Sequence, residues 1–382
     1  MSEEEFTLKR YRSAVNVHAM NLSYSDQGSS FTVKFSTTSK VTITVLYAVT
    51  IMFGIAGNSI AIYFAIMKKA GNRVTNMLIL NMAIADMLIT IFAMPYSIIF
   101  LQVGFKWIGG ILGQITCKIV HFSYQVSIPA SIFTVMAVSL DRFFAVLYPA
   151  KVRALRKVKM TTLAIWVSSA VYAVPFIFAY DIQQQNGIYY CIRYFPRFDN
   201  EISSQIYYLI TFICLYCIPL LILIVLYTLI SRRLWQRKIP GNVSQERYKS
   251  SQQEKRRVIL ALIAIIVLFA VCWFPAHVIH YIFYFRKDVY RKISPEVEVL
   301  FFWLCHANSF INPCLYVFLS QGYRQHMRTI LQRFTFCCTF YFRRKKIYSF
   351  RSGKGPGTLT LEASLRNPMS IVGVTFHREM VC

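Results

Sequence analysis

The stretch that is most informative about the fold reads Asn308-Ser309-Phe310-Ile311-Asn312-Pro313-Cys314-Leu315-Tyr316. It lies inside an apolar run, yet it carries two Asn, a Ser, a Tyr and a helix-breaking Pro. Polar groups of this kind are costly in hydrocarbon unless another part of the protein satisfies them. Asp86, far away in the sequence, is the one acid that lies deep inside an apolar run. We therefore predict that these two stretches meet inside a bundle of helices and act there as a switch.

The composition indicates a protein that crosses a membrane several times. Of its 382 residues, 56% are hydrophobic and only 15% are charged, which is less charge than a soluble domain carries. A helix needs about 20 apolar residues to span the hydrocarbon core. The runs that qualify are Val41–Met67, Met77–Leu101, Cys117–Leu147, Met160–Tyr180, Ile206–Ile230, Val258–Phe285 and Val299–Leu319. We predict an all-α membrane protein, a bundle of seven transmembrane helices.

The net charge of +26 follows membrane topology and does not call for a nucleic-acid partner. If the N-terminus lies outside, most of the 42 Lys and Arg residues lie inside and most of the 16 Asp and Glu residues lie outside. This is the positive-inside bias of multi-pass membrane proteins. It predicts an extracellular N-terminus, and the outer acids indicate a cationic extracellular partner.

Both ends of the chain are polar. The predicted divisions are an N-terminal tail at residues 1–40, a seven-helix domain at 41–335 and a cytoplasmic tail at 336–382. The outer tail carries a glycosylation sequon at Asn21. Apolar and basic side chains recur at helical spacing from Tyr323 to Phe334, which predicts a short amphipathic eighth helix on the inner leaflet. Cys337 and Cys338 follow this helix and are candidates for palmitoylation.

Two of the ten cysteines are predicted to form a disulfide. Cys117 opens the third run on its outer side, and Cys191 lies in the outer loop after the fourth run. Because both face an oxidising compartment, we expect them to pair and to tie that loop to the bundle.

Each predicted helix also carries one characteristic residue or motif. In chain order these are Asn58; Asp86; Cys117 with Asp141-Arg142; Trp166; Pro219 with Tyr227; Cys272-Trp273-Phe274-Pro275; and Asn312-Pro313-Cys314-Leu315-Tyr316. The set resembles the rhodopsin-like (class A) G-protein-coupled receptors over roughly Val41 to Arg333. The resemblance implies a plasma-membrane receptor, not an enzyme. Such a receptor binds an extracellular ligand and activates heterotrimeric G proteins through outward movement of helix six.

The resemblance also implies roles for individual residues. An allosteric sodium ion is expected at Asn58, Asp86, Ser131, Asn308, Ser309 and Asn312, whose oxygen atoms suit a hard cation. Trp273 corresponds to the residue at the pocket floor that senses the agonist. The connector that repacks during activation corresponds to Ile132, Pro219 and Phe269. The switch and coupling residues are Asp141, Arg142, Tyr227, Pro275, Pro313 and Tyr316. No further cofactor is expected, and activation is a population shift driven by the differential affinity of the agonist.

Two positions depart from the family pattern. The usual Asp-Arg-Tyr triplet ends in Phe143 here, which lacks the hydroxyl. At the inner end of helix six, Lys255 stands where some members have a Glu that holds the arginine. We therefore predict measurable basal signalling.

Within this family, two ligand classes are excluded and a peptide is favoured. An opsin needs a lysine in helix seven, where this chain has His306. An amine receptor needs an Asp in helix three, where this chain has Tyr124. The outer loop from Asp181 to Ser204 is long, and its Tyr189–Tyr194 run has the character of a hairpin strand, as in peptide receptors.

The pocket implied by the resemblance is polar and uncharged. Its predicted residues are Tyr96, His121, Tyr124, Gln125, Thr211, Trp273, His277, His280, Phe302 and His306. Gln125 has the donor and the acceptor that a terminal carboxamide requires. Acids ring the entrance and would steer a basic peptide; they are Asp181, Asp199, Glu201, Asp288, Glu296 and Glu298. The hypothesis is therefore a short, basic, amidated neuropeptide.

Two alternative functions compete with this one. A transporter or channel would show internal repeats, several intramembrane charges or a filter-like loop, and the sequence carries none of these. A constitutively active orphan receptor without a peptide ligand is a closer alternative, since Phe143 and Lys255 favour basal signalling. The expected partners are a peptide, a heterotrimeric G protein, arrestin, receptor kinases and membrane lipid.

Overall fold

Seven long helices form the body of the protein in a computed structural model that describes residues 35–67, 73–148, 157–193, 200–236, 245–319, 323–329 and 332. Their bounds are α1 (Thr37–Ile66), α2 (Arg73–Val103), α3 (Gly110–Leu147), α4 (Val158–Ala179), α5 (Asn200–Phe212 continued by Ile213–Cys217 and Ile218–Gln236), α6 (Gln245–Phe285) and α7 (Pro295–Leu319). The predicted all-α bundle of seven transmembrane helices is confirmed.

Six of these helices, α1 to α6, are long and apolar enough to cross a membrane by length and composition. Their outer faces are apolar; on α4, Met160, Leu163 and Val167 are exposed about one turn apart. A soluble monomer does not expose apolar surface on this scale, whereas in a bilayer these faces contact lipid. Helix α7 carries the polar stretch around Asn308 and Asn312, and it packs between α1 and α6.

Two of the helices contain a π-helical turn that the sequence analysis did not predict. The turn at Ile89–Ala93 in α2 precedes Pro95, and the turn at Ile213–Cys217 in α5 precedes Pro219. Proline lacks an amide hydrogen and its ring clashes with the carbonyl four residues earlier. The wider turn relieves this clash without ending the helix. The chain therefore accommodates Pro95 with a π turn.

All seven helices begin before the apolar runs that predicted them, by the largest margins at α3 and α6. Helix α3 begins at Gly110 and not at Cys117. Gly109 has an extended backbone, and the helix begins with the next residue. Helix α6 begins at Gln245 and not at Val258. The residues added to α6 are polar, so a hydropathy pattern detects only the part of the helix that is matched to hydrocarbon.

A small antiparallel sheet covers one end of the bundle. It consists of β1 (Lys106–Trp107), β2 (Tyr180–Gln185) and β3 (Ile188–Arg193) in the order β1-β3-β2. Asn186 and Gly187 join β2 to β3 with φ values of 49° and 76°, which is the backbone favoured in two-residue hairpins. The strand predicted in the second outer loop is thus confirmed as β3.

A disulfide fixes the sheet to α3. Cys117 and Cys191 are bonded, as predicted, with Cα atoms 5.9 Å apart. The amide of Cys191 donates to the carbonyl O of Phe105 at 3.0 Å. The indole Nε1 of Trp107 donates to the carbonyl O of Gly113 at 3.1 Å. We refer to this end of the bundle as the sheet end.

Residues 323–329 form α8 at the other end. Its first residue, Tyr323, is fully buried, with its ring centroid 5.1 Å from that of Phe64 and 5.6 Å from that of Tyr316. The unit Met1–Arg328 contains the seven long helices and the sheet, and in the second unit, Thr329–Cys382, only residues 329 and 332 are described. The predicted modification sites that lie outside the described residues are Asn21, Cys337 and Cys338.

Candidate functional site

A cavity of about 320 Å³ lies between the helices at the sheet end. All but one of the residues predicted for the ligand pocket line it. They are Tyr96, Tyr124, Gln125, Thr211, Trp273, His277, His280, Phe302 and His306. These side chains come from α2, α3, α5, α6 and α7, so the fold brings five helices to one concave site, as small-ligand sites in helical bundles require.

His121 is the exception, because it is not part of the described lining of the cavity. Its Nδ1 donates to the carbonyl O of Cys117 at 2.8 Å, and its ring stacks on Tyr180 with centroids 3.7 Å apart. The sulfur of Cys191 lies 3.7 Å from the same nitrogen. Since both sulfurs are in the disulfide, this group offers no thiolate to a metal ion. His121 supports the hairpin from below.

His306 lies between two tyrosines in the cavity. The hydroxyl of Tyr47 is 3.2 Å from Nδ1, and the hydroxyl of Tyr124 is 3.4 Å from Nε2. A neutral imidazole has one donor and one acceptor nitrogen, so one tyrosine donates to the ring and the other accepts from it. Sequence analysis missed Tyr47, because a single Tyr in an apolar helix gives no indication of which helix it faces.

The floor of the cavity is continuous with the core of the bundle. Trp273 lines the cavity, and its buried Nε1 has no hydrogen-bond partner within the described part of the chain. Its ring centroid lies 6.5 Å from that of Phe269, which shares a buried cluster with Ile132. Pro219 is buried on α5. A ligand that displaces Trp273 therefore presses on the predicted connector residues.

The described lining of the cavity contains one arginine and one glutamate. Arg193, at the end of β3, donates from Nη2 to the hydroxyl of Tyr284 at 2.5 Å and to Oγ of Ser204 at 3.3 Å. Glu298, in the first turn of α7, accepts a hydrogen bond from the hydroxyl of Tyr290 at 2.6 Å. The predicted pocket was uncharged, and this is wrong, because Arg193 and Glu298 turn into the cavity.

Two of the other acids expected at the entrance, Asp181 and Asp288, have local partners. Oδ1 of Asp181 accepts from Nε2 of Gln114 at 3.2 Å. Asp288 pairs with Arg286 at 3.1 Å on the exposed surface, and the hydrogen bond from Arg286 lowers the pKa of the Asp288 carboxyl. Glu296 lies in the first turn of α7. The remaining two acids have undescribed side chains; they are Asp199 and Glu201.

A second polar centre lies deeper in the bundle, where Asp86 meets the stretch 308–316. The carboxylate of Asp86 is fully buried and accepts from Ser131 Oγ at 3.2 Å and from Asn312 Nδ2 at 2.8 Å. Nδ2 of Asn58 donates to the carbonyl O of Ser309 at 3.2 Å. Helix α1 therefore contacts the backbone of α7 at this level.

A smaller cavity of about 50 Å³ lies between this centre and the end of the bundle opposite the sheet. Its lining includes Asp141, Arg142, Tyr227, Asn308, Asn312 and Tyr316. Nη2 of Arg142 donates to Thr75 Oγ1 at 3.2 Å. The hydroxyl of Tyr227 contacts Oγ of Ser139, and the buried hydroxyl of Tyr316 has no partner among the described residues. Three of the predicted switch residues thus line one cavity, and the described contacts include no hydrogen bond between them; they are Arg142, Tyr227 and Tyr316.

Two of the predicted switch residues are prolines inside helices, Pro275 in α6 and Pro313 in α7. Pro313 lies against Gly57 of α1, where an added Cβ would be 3.0 Å from Cγ of the proline. The missing side chain at Gly57 is what allows α7 to bend close to α1.

The chain matches the family model described as 7 transmembrane receptor (rhodopsin family) over residues 57–316. It is 29% identical over 319 residues to the tachykinin-like peptides receptor 86C of Drosophila melanogaster, covering 81% of this chain and 61% of that relative. It is 29% identical over 294 residues to galanin receptor 2b of Danio rerio, covering 76% and 75% of the two chains. The substance-P receptor of Homo sapiens is 26% identical over 296 residues, with 77% and 70% covered.

Proposed function

Since the chain belongs to the rhodopsin family of seven-transmembrane receptors, we propose that it binds an extracellular peptide and activates heterotrimeric G proteins. Its relatives include receptors named for tachykinin-like peptides, galanin and substance P. The match covers 61% of the length of the first of these relatives. The ligand and the partners of this chain are therefore proposed from its own residues.

The observation that carries the proposal is the cavity of about 320 Å³ beneath a disulfide-fixed hairpin. All seven long helices contribute polar groups to it, and the β2–β3 hairpin contributes Tyr190 and Arg193. Hydrogen-bonding groups spread around an aromatic wall suit a ligand with several amides. A basic peptide with a carboxamide at Gln125 remains the prediction for the detailed ligand.

We propose that binding is transmitted along the bundle through packing. An agonist that contacts Trp273 repacks Phe269 and Ile132, which lie in one buried cluster with Tyr227. Helix α6 then moves outward, and Arg142 is released toward the G protein. The agonist can favour this state only by its differential affinity for it. Buried clusters transmit small shifts because they have discrete packings.

An allosteric sodium ion is proposed at Asp86. The residues present fit a hard cation, because Asp86 and Ser131 offer oxygen atoms there. The buried Asn58 Oδ1 and Ser309 Oγ have no hydrogen-bond partner in the described structure. Asn308 and Asn312 complete the predicted set. When bound, the ion would neutralise the buried carboxylate.

The orientation and the remaining partners are proposed from the charge pattern and the family. The excess of Lys and Arg in the loops opposite the sheet end supports a plasma-membrane protein whose N-terminus is extracellular. Arrestin and receptor kinases are proposed as further cytoplasmic partners, and basic residues near the membrane favour anionic lipid.

A second candidate function is signalling without any ligand. The specific observation is that Arg142 is bonded to the neutral Thr75, while Phe143 and Lys255 depart from the family pattern. We expect measurable basal nucleotide exchange in either case, and a silent unliganded receptor at normal surface expression would contradict it.

The test is a screen of synthetic peptides on cells that express the full chain with a promiscuous G protein, read by calcium release. Active peptides are then added to membranes to measure guanine-nucleotide exchange. The matched control is Arg142→Ala at equal surface expression, which should bind the peptide without exchange. If no peptide acts and only basal exchange is seen, the ligand-free alternative replaces the proposal; if no G protein ever loads nucleotide, both fail.

A further inference from the structure

We propose that Arg193 recognises an acidic group of the ligand, either the C-terminal carboxylate of a peptide or an Asp or Glu side chain. The inference rests on the proposed function of the sheet-end cavity as the peptide site. It adds an acidic group to the basic, amidated peptide hypothesised from the sequence, and a C-terminal carboxylate at Arg193 would replace the carboxamide of that hypothesis.

The position of Arg193 is rigid. It pairs with Tyr180 across the hairpin and follows the disulfide-bonded Cys191 by two residues. Its side chain is only 8% exposed, yet it lines the cavity. A cation held by a strand, a disulfide and a closed hairpin loses little conformational freedom when it binds a ligand, which favours affinity.

The charge of Arg193 is not neutralised by the described structure around it. Its guanidinium bonds to the hydroxyls of Tyr284 and Ser204, which are neutral. Within the described side chains, no carboxylate oxygen lies within 4.0 Å of it. Glu298, the other charged group of the cavity lining, is bonded to Tyr290.

A buried guanidinium without a counter-charge is unfavourable, because its desolvation is not offset by an ion pair. Arginine carries five N–H donors in a planar fork that matches a carboxylate through two parallel hydrogen bonds. The hydroxyl of Tyr284 orients the fork without cancelling its charge. A ligand carboxylate supplies a counter-charge that the described side chains around Arg193 do not.

The experiment screens one set of synthetic peptides in two forms, one with a C-terminal carboxylate and one with a carboxamide, on the full-length receptor. Each active peptide is resynthesised with every Asp and Glu replaced by Asn and Gln, singly. Calcium release through a promiscuous G protein gives the potency on wild type, Arg193→Gln, Arg193→Lys and Tyr284→Phe at matched surface expression. Amidating the C-terminus tests a terminal carboxylate, and replacing each Asp or Glu of the peptide tests a side-chain carboxylate.

We expect one acidic group in the active peptides whose removal lowers potency about 30-fold or more on wild type. The same removal should have little effect on Arg193→Gln, because the two changes delete one interaction. Arg193→Lys should retain part of the potency as a point charge, and Tyr284→Phe should lose less than Arg193→Gln does. If Arg193→Gln does not reach the surface, the potencies of the acidic and neutral peptides on wild type and on Arg193→Lys still test the proposal.

Active peptides whose potency does not depend on any acidic group would overturn this inference and leave the proposed function standing. An equal loss on Arg193→Gln for the acidic and neutral forms would also overturn it, since it indicates a structural residue. If neither form of any peptide activates wild type, the proposed function itself fails, and the inference with it.

Discussion

The two ends of the bundle each hold an arginine beside a cavity, and the two are held in different ways. Arg193 at the sheet end is anchored in a disulfide-tied strand and donates to two hydroxyls, the shorter bond being 2.5 Å. Arg142 at the opposite end lies on α3, with a described bond of 3.2 Å to Thr75 and a buried Nε that has no described partner.

This difference indicates two functions for the same side-chain type. A fixed guanidinium is suited to recognition, because little conformational entropy is lost on binding. A weakly held guanidinium is suited to a switch, because few interactions must break before it can move. The polar centre at Asp86 lies between the two and has partners on α3 and α7.

Removing the side chain of Arg142 should have the largest effect. We expect Arg142→Ala to reduce agonist-stimulated nucleotide exchange to the level of membranes without receptor, while the peptide still binds. Arg193→Gln should do the opposite, shifting the concentration–response curve with an unchanged maximum. The measurement is a full concentration series of nucleotide exchange on both variants. A lowered maximum for Arg193→Gln with unchanged potency would erase the distinction between the two ends.

The next largest effect is expected at Asp86, which lies between the two arginines. If sodium binds there, it should lower agonist affinity by about 5- to 10-fold in wild type, the usual size of a coupling between two sites. Asp86→Asn should abolish this dependence because the charge is lost while the acceptor oxygen remains. Competition binding in sodium and in potassium buffers measures it. Identical sodium responses and G-protein coupling in wild type and Asp86→Asn would show that Asp86 contributes only to packing.

At the end opposite the sheet, the hydroxyl of Ser139 contacts the hydroxyl of Tyr227. If it stabilises the closed state, Ser139→Ala should raise basal exchange about 2- to 10-fold, as expected for one hydrogen bond. Tyr227→Phe removes the other hydroxyl of this contact, and its agonist response should fall if that hydroxyl also stabilises the open state. Basal and stimulated exchange on both variants decide between these outcomes. Unchanged basal exchange in Ser139→Ala would show that the contact does not restrain the switch.

The smallest effect is expected for charges at the entrance. Glu296→Lys and Glu298→Lys should slow association of a basic peptide by about 2- to 10-fold, with a weaker effect at high salt. Glu298→Lys should have the larger effect because it also breaks the bond to Tyr290. Association rates at two ionic strengths provide the measurement. Equal association rates for wild type and both variants would show that these acids do not steer the peptide.

Local sequence patterns were sufficient for the helices, for the β3 strand and for the bonded pair Cys117 and Cys191. Each of these depends on features that are written along the chain, such as apolar length and the side of the membrane. The π turns before Pro95 and Pro219 were not predicted, because a proline can also kink a helix, and the neighbouring helices decide between these responses.

The errors at the candidate site have a shared cause. The sequence shows that Asn58 and His121 are polar residues that need partners, but not which partners they have. Asn58 bonds to a backbone carbonyl of α7, and His121 bonds within its own helix and stacks under the hairpin. Arg193 was overlooked as a pocket residue for the same reason, since a loop arginine most often faces solvent.

By itself, the sequence determined the membrane class, the seven helices, the family and the presence of a buried acid with a polar stretch in α7, because hydropathy, spacing and motif are properties of the chain. Only the tertiary structure decided that Asp86 bonds to Asn312. It also decided that Arg193 turns into the cavity while Arg142 rests on Thr75. Those outcomes depend on helix packing and hairpin closure, which bring together residues that are distant along the chain.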